Sequence, residues 1–90
     1  MFETKATIRN RDGIHCRPSA IIMKAFASYS GSLAVTGERG QSDLRSMLSL
    51  MAMSLLPGDV VSIRVEGPRE KRVGIELARL LETHFDFPRC

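Results

Sequence analysis

Gly13-Ile14-His15-Cys16-Arg17-Pro18-Ser19-Ala20 stands between a stretch that alternates and a stretch with helical spacing, and it brings an imidazole and a guanidinium within two residues. The glycine before the histidine permits a backbone turn that other residues resist. Pro18 suits the first turn of a helix, where its missing N–H costs no hydrogen bond. It also biases the residue before it away from helical dihedrals, which makes Arg17 a candidate cap. His15 therefore falls at or just before a helix N-terminus, where free N–H groups and the macrodipole favour an anion.

Upstream, Phe2, Thr4, Ala6 and Ile8 alternate with Glu3, Lys5, Thr7 and Arg9, the period of a half-buried strand. Downstream, from about Cys16 to Tyr29, the residues Pro18, Ile22, Phe26 and Tyr29 form one apolar stripe flanked by Met23 and Ala25, which predicts an amphipathic helix. Ser30 and Gly31 end it. Leu33 and Val35 point inward on a second strand, Gly37-Glu38-Arg39-Gly40 is a turn, and Gln41 to Leu44 is a short polar strand. Ser46 then caps a helix over Met47 to Leu55, which Pro57-Gly58 stops. On that helix Leu50 and Met53 are expected inward and Met47, Leu48 and Met51 outward, leaving an exposed apolar patch. Asp59 to Glu66 is the clearest strand, with Val61, Ile63 and Val65 on one face. After Gly67-Pro68, the residues Val73, Leu77, Leu80 and His84 recur at helical spacing through about Phe85, with Leu81 beside them. Gly74 inside that helix is expected to weaken it by about 1 kcal/mol relative to alanine.

The order strand, helix, strand, strand, helix, strand, helix predicts a two-layer α+β sandwich, βαββαβα, with one open sheet face. A right-handed crossover sets the first helix on one face and lets the last strand insert between strands one and two. Ninety residues make one domain, 1–90, large enough for a single core. The 43% hydrophobic and 26% charged content is ordinary for a globular protein, and no segment reads as disordered. A formal charge of +3 is too mild to imply nucleic acid and favours an acidic partner surface. The first residues lack the order of a signal peptide and no apolar run approaches a membrane span, so a cytoplasmic location without membrane insertion is expected. Cys16 and Cys90 are expected as thiols there.

Gly13-Ile14-His15-Cys16-Arg17-Pro18 resembles the active-site segment of the histidine-containing phosphocarrier family HPr of the phosphoenolpyruvate-dependent sugar phosphotransferase system. That pattern is a glycine, an aliphatic residue, the phosphorylated histidine, a small residue, arginine and proline. Leu44-Arg45-Ser46-Met47-Leu48-Ser49-Leu50-Met51 is similar to the family's regulatory-serine segment. The resemblance implies an open-faced sandwich of four antiparallel strands in order 1-4-2-3 under three helices. It also implies a relay, not a turnover enzyme, in which His15 accepts a phosphoryl group from enzyme I through Nδ1 and passes it to enzyme IIA domains. Cys16 and Ser19 depart from the family's usual small residues, and neither blocks that chemistry.

Neutral imidazole is nucleophilic and has an unperturbed pKa of about 6.5, so attack on phosphorus is available near neutral pH. The positive end of a helix disfavours imidazolium and favours a dianionic product, with the backbone at Cys16 and Arg17 as the phosphate cradle. The Arg17 side chain adds a planar donor fork for phosphoryl oxygens. An isolated histidine at a helix start is more often a polar loop residue; the flanking pattern and the second motif favour the reactive reading. Ser46 has two compatible roles, a plain N-cap and a regulatory phosphorylation site for a serine kinase/phosphorylase. A phosphate there is expected to leave the fold intact and to repel an acidic partner. Ala20, Ile21 and Lys24 with Met47, Leu48 and Met51 are the expected docking surface of a monomer, since methionines adapt to several partners. Ordinary core packing is the competing account of Met51.

No metal site is expected, because His15 and Cys16 lack clustered ligands and His84 and Cys90 are remote in sequence. No cofactor is expected either. A regulatory binding module of the same fold is the alternative class, and the histidine argues against it. A nitrogen-branch carrier shares the chemistry but acts on regulatory targets. A nucleic-acid module is disfavoured because the strands carry almost no aromatic residues beyond Phe2.

Overall fold

Val61, Ile63 and Val65 are completely or almost completely buried, and Val60, Ser62, Arg64 and Glu66 between them are exposed, so the strand's period of two separates core from solvent. The computed structural model describes residues 1–11, 14 and 16–83, and of Cys16 and Arg17 only the backbone. Along the chain run β1 (Phe2–Thr7), α1 (Cys16–Phe26), β2 (Ser32–Gly37), β3 (Gly40–Ser42), α2 (Met47–Ala52), β4 (Val60–Glu66) and α3 (Glu70–Leu81). The strands form one antiparallel sheet in the order β1-β4-β2-β3. The expected βαββαβα architecture is therefore present.

Register assigns the two faces. Phe2, Val65 and Leu33 lie in one cross-strand row, and Thr4, Ile63 and Val35 lie in the next. These rows face the helices, which bury Ile22 and Phe26 of α1, Leu50 of α2, and Leu77 and Leu81 of α3. Each such side chain withdrawn from water stabilises the fold by roughly 1.5–3 kcal/mol. The alternate rows, Glu3 with Arg64 and Ala34, then Lys5 with Ser62 and Thr36, make the open face. Glu3 and Arg64 pair there at 3.6 Å between exposed side chains, which contributes little.

Several boundaries differ from the sequence-based expectation, each for a local reason. β3 stops at Ser42 because Leu44 takes a left-handed backbone conformation, φ 61°, and turns its buried side chain into the core. α2 ends at Ala52, with Ser54 also left-handed at φ 51°. α1 ends at Phe26, and turn bonds from Ala27 N to Lys24 O and from Tyr29 N to Phe26 O carry the chain onward. Its first residue is Cys16, so Arg17 lies inside the helix and not at its cap. On α3 the buried positions are Gly74, Leu77 and Leu81, with Val73 and Leu80 half-buried beside them. The expected His84 and Phe85 positions fall outside the described residues.

Gly74 has a packing role that its helix propensity conceals. A Cβ there would run into the Phe2 ring and come to 3.4 Å from Val65. Among the described residues no helix is long and apolar enough to cross a membrane.

Candidate functional site

The segment leading into α1 is held from both sides. Ile14 is buried, and its N–H donates to the Leu55 carbonyl at 3.1 Å. Pro18, Ser19 and Ile22 sink into the core immediately after the helix begins at Cys16. His15 lies outside the described residues, as do the side chains of Cys16 and Arg17. α1 opens at Cys16, and a helix N-terminus in general favours an anion. Ser19 Oγ is buried without a hydrogen-bond partner among the described residues.

Sequence reasoning missed what secures this segment. Leu55 belongs to the loop after α2, and Arg39, in the β2–β3 turn, donates to the Ser54 carbonyl at 2.8 Å and pairs with Asp59. Asp59 in turn accepts from Leu56 N at 2.9 Å, while Ile8 exchanges backbone bonds with Gly58 and Asp59. Arg39 thus reaches Ile14 through the loop carrying Leu55. No local pattern announces that role, because its partners are 15 and 20 residues away in sequence.

Ser46 is the N-cap of α2, with extended backbone angles and Oγ accepting from Ser49 N at 3.3 Å. Ser49 Oγ donates to the Ser46 carbonyl at 2.8 Å, so the hydroxyl of buried Ser42, 2.9 Å away, donates to Ser49. Ser42 also accepts from Leu44 N, which helps to hold the strained Leu44 backbone. The preceding residue ties α2 to α1: the Arg45 guanidinium donates to the carbonyls of Ala27, Tyr29 and Gly31 at 3.2, 2.8 and 3.1 Å. A cation is favourable there, just past the C-terminus of α1. Ser46 itself is exposed.

α1 and α2 pack against each other, and both leave apolar surface in water. Leu48 is 78% exposed, Met51 39% and Ile21 38%. Ala20 and Lys24 are exposed and Met47 is half-buried. Leu56, which sequence reasoning did not single out, adds a further exposed apolar side chain beside α2. Met51 is therefore a surface residue and not core. Leu50 and Met53 are fully inward.

A profile of the family described as "PTS HPr component phosphorylation site" matches residues 2–83. The chain belongs to the HPr family. A phosphocarrier protein HPr of Vibrio cholerae is 29% identical over 82 residues, covering 91% of this chain and 96% of that protein. Two solved structures share the fold. The Bacillus anthracis phosphocarrier protein HPr gives a TM-score of 0.82 at 15% identity, covering 90% of this chain and 96% of that one. The histidine-containing phosphocarrier protein of a Mycoplasma gives 0.79 at 21% identity, with coverage of 89% and 91%. The HPr sandwich, the order 1-4-2-3 and the three helices are thus established for this chain.

Proposed function

We propose that this HPr-family chain is a cytoplasmic, monomeric phosphoryl-group carrier, folded as one domain over residues 1–90, in which His15 accepts a phosphoryl group from phospho-enzyme I and passes it to enzyme IIA domains. The observation that carries the reading is the sequence Gly13-Ile14-His15-Cys16-Arg17-Pro18 at the opening of α1, in a chain matched almost end to end by a family described by its phosphorylation site. In the forward step neutral His15 attacks phosphorus, a P–N bond forms, and the bond from phosphorus to the donor breaks, the donor leaving with the bonding pair. In the onward step a nucleophile of the acceptor attacks the same phosphorus, the P–N bond breaks, and its electron pair returns to the His15 ring, which leaves as neutral imidazole. The amides that open α1, at Cys16 and Arg17, offer donors to the developing dianion, and the Arg17 guanidinium adds a fork for its oxygens. On this reading the protein is a relay and not a turnover enzyme, and the transfer calls for no cofactor or metal.

Ser46 is the regulatory site. A dianion at the head of α2 suits the helix dipole, so modification by a serine kinase/phosphorylase acts on docking and not on folding. The docking surface is Ala20, Ile21 and Lys24 with Met47, Leu48 and Met51. Nitrogen-branch acceptors are the second reading, and purified acceptor domains of each branch separate the two by rate.

The test is incubation with phosphoenolpyruvate and enzyme I, then mass analysis of wild type and His15→Ala. An acid-labile phosphoryl adduct in the wild type alone is expected. An adduct on both proteins removes His15 from the mechanism, and an adduct on neither favours a regulatory module without relay function.

A further inference from the structure

The outer face of α3 carries a second surface, on a different helix from the α1–α2 face. α3 packs on β1 and β4, at one end of the sheet order, whereas α2 packs on β3 at the other. With Gly74, Leu77 and Leu81 turned inward, the stripe Arg72, Ile75, Glu76 and Arg79 faces solvent at i, i+3, i+4 and i+7. Together with Arg69 and Lys71 at the head of the helix, it lines a shallow concavity of about 850 Å³.

The charge on this face is unbalanced once its pairs are assigned. Glu76 is engaged by Arg72 at 3.2 Å, and Glu70 by the Met1 ammonium at 2.7 Å. Among the described residues, the side chains of Arg69, Lys71 and Arg79 have no carboxylate partner. They surround Ile75, which is 38% exposed. An apolar centre with a charged rim is the arrangement of a protein interface. Glu70 and Glu76 within the ring oppose the continuous phosphate charge of nucleic acid, and a single isoleucine offers too little apolar area for a lipid surface.

We infer that the Arg69–Arg79 face of α3 is a docking surface for an acidic protein segment, one that places an apolar side chain on Ile75 and carboxylates against Arg69, Lys71 and Arg79. This face and the proposed α1–α2 docking face lie on different helices, so the two surfaces can be altered by separate substitutions. The surface stands independently of the phosphocarrier reading.

The test uses the full chain, isotopically labelled, titrated with a short synthetic peptide of glutamates flanking a leucine and followed by amide chemical shifts. Shifts are expected to cluster on residues 67–79. The double variant Arg69→Glu/Arg79→Glu should weaken binding about tenfold with an unchanged urea midpoint, since both side chains are exposed and unpartnered. A charge-matched control, Lys5→Glu/Arg9→Glu, should bind as the wild type does. Should the double variant fold poorly, the single Arg79→Gln gives a graded weakening with the same meaning. Equal weakening by the control, shifts scattered over the surface, or tighter binding of a mixed-sequence DNA duplex to residues 67–79 would each overturn the inference. The binding assay involves no phosphoryl transfer, so its failure and the failure of the carrier reading are separate results.

Discussion

α2 and α3 lie under the same sheet and use their apolar residues in opposite ways. α3 has twelve residues, presses Gly74 against Phe2, and buries Leu77 and Leu81 completely. Past its end Glu82 accepts a hydrogen bond from Thr7 N at 2.8 Å, tying the helix to the edge strand β1. α2 has six residues, buries only Leu50, carries no acidic or basic residue in its end turns, and leaves Leu48 and Met51 in water. Six residues are too few to be helical in isolation. What holds α2 is its cap, its contact with α1 and the Arg45 tie. The contrast assigns buried anchorage to α3 and exposed apolar surface to α2.

The sharpest way to break that contrast is to truncate one leucine on each helix. Leu77→Ala should cost about 3 kcal/mol in urea denaturation, through lost burial and the cavity left behind. Leu48→Ala should leave stability within about 0.5 kcal/mol and instead raise the KM for transfer from enzyme I, with kcat nearly unchanged. If Leu48→Ala destabilised the fold as Leu77→Ala does, the outward assignment of α2 would fail.

Gly74→Ala tests the same helix from the other side. In an exposed helix interior this exchange stabilises by about 1 kcal/mol. Here the new methyl meets the Phe2 ring, so a net loss of roughly 1–2 kcal/mol is expected. The companion Gly74→Ala/Phe2→Leu should recover part of it, because the obstruction is one ring. A gain in thermal stability for the single variant would mean that Phe2 moves aside freely.

On α2 the expected effect is smaller. Ser46→Ala removes the N-cap acceptor for Ser49 N and should cost about 1 kcal/mol. Ser46→Asp keeps an acceptor and adds a charge that the helix N-terminus favours, so its midpoint should return to that of the wild type while transfer from enzyme I slows. Loss of stability in both variants would show that the Ser49 hydroxyl network, and not the cap, holds the helix.

These helices also mark where sequence reading succeeds. Strand alternation in Val61, Ile63 and Val65, the apolar stripe of α1 and the Ser46 cap are local signals, and each is read within a few residues. The features missed are those whose partners lie far along the chain. Nothing near Arg45 points to the carbonyls of Ala27, Tyr29 and Gly31, and nothing near Arg39 points to Ser54 and Asp59. Leu44 shortens β3 with a left-handed backbone that a sequence normally advertises by glycine or asparagine. Gly74 was read by its propensity, whereas the close approach of Phe2 decides its sign. At the candidate site the segment Gly13 to Pro18 stands out as residues, and the loop that anchors Ile14 does not.

The smallest effect expected is one of pH, and it separates the two helices by charge alone. The Met1 ammonium is held above its ordinary pKa of 8.0, chiefly by its hydrogen bond to Glu70; desolvation opposes that shift, and the charges of Glu70, Glu66 and Glu3 add to it. A folded-state pKa above the unfolded one means that the pairing is fully present below about pH 8 and is lost as pH rises through the folded value. Tyr29 acts in the same direction at higher pH. Partial burial and then the charge of Glu70 raise its phenol above 10.0, and its O–H donates to the Pro68 carbonyl at 2.7 Å, a bond that the phenolate cannot make. Both groups belong to the end of the molecule where α3 begins. The urea midpoint should therefore decline from pH 8 upward, and Glu70→Gln should flatten the first part of that decline more than the later part, where the titration of Tyr29 keeps the larger contribution of its burial. α2 contains no ionisable side chain, so side-chain NMR shifts of Leu50 and Met53 should stay constant over the range in which those of Val73 and Leu77 move. A decline of equal slope in Glu70→Gln would show that the ammonium contributes nothing to holding β1 against the first turn of α3.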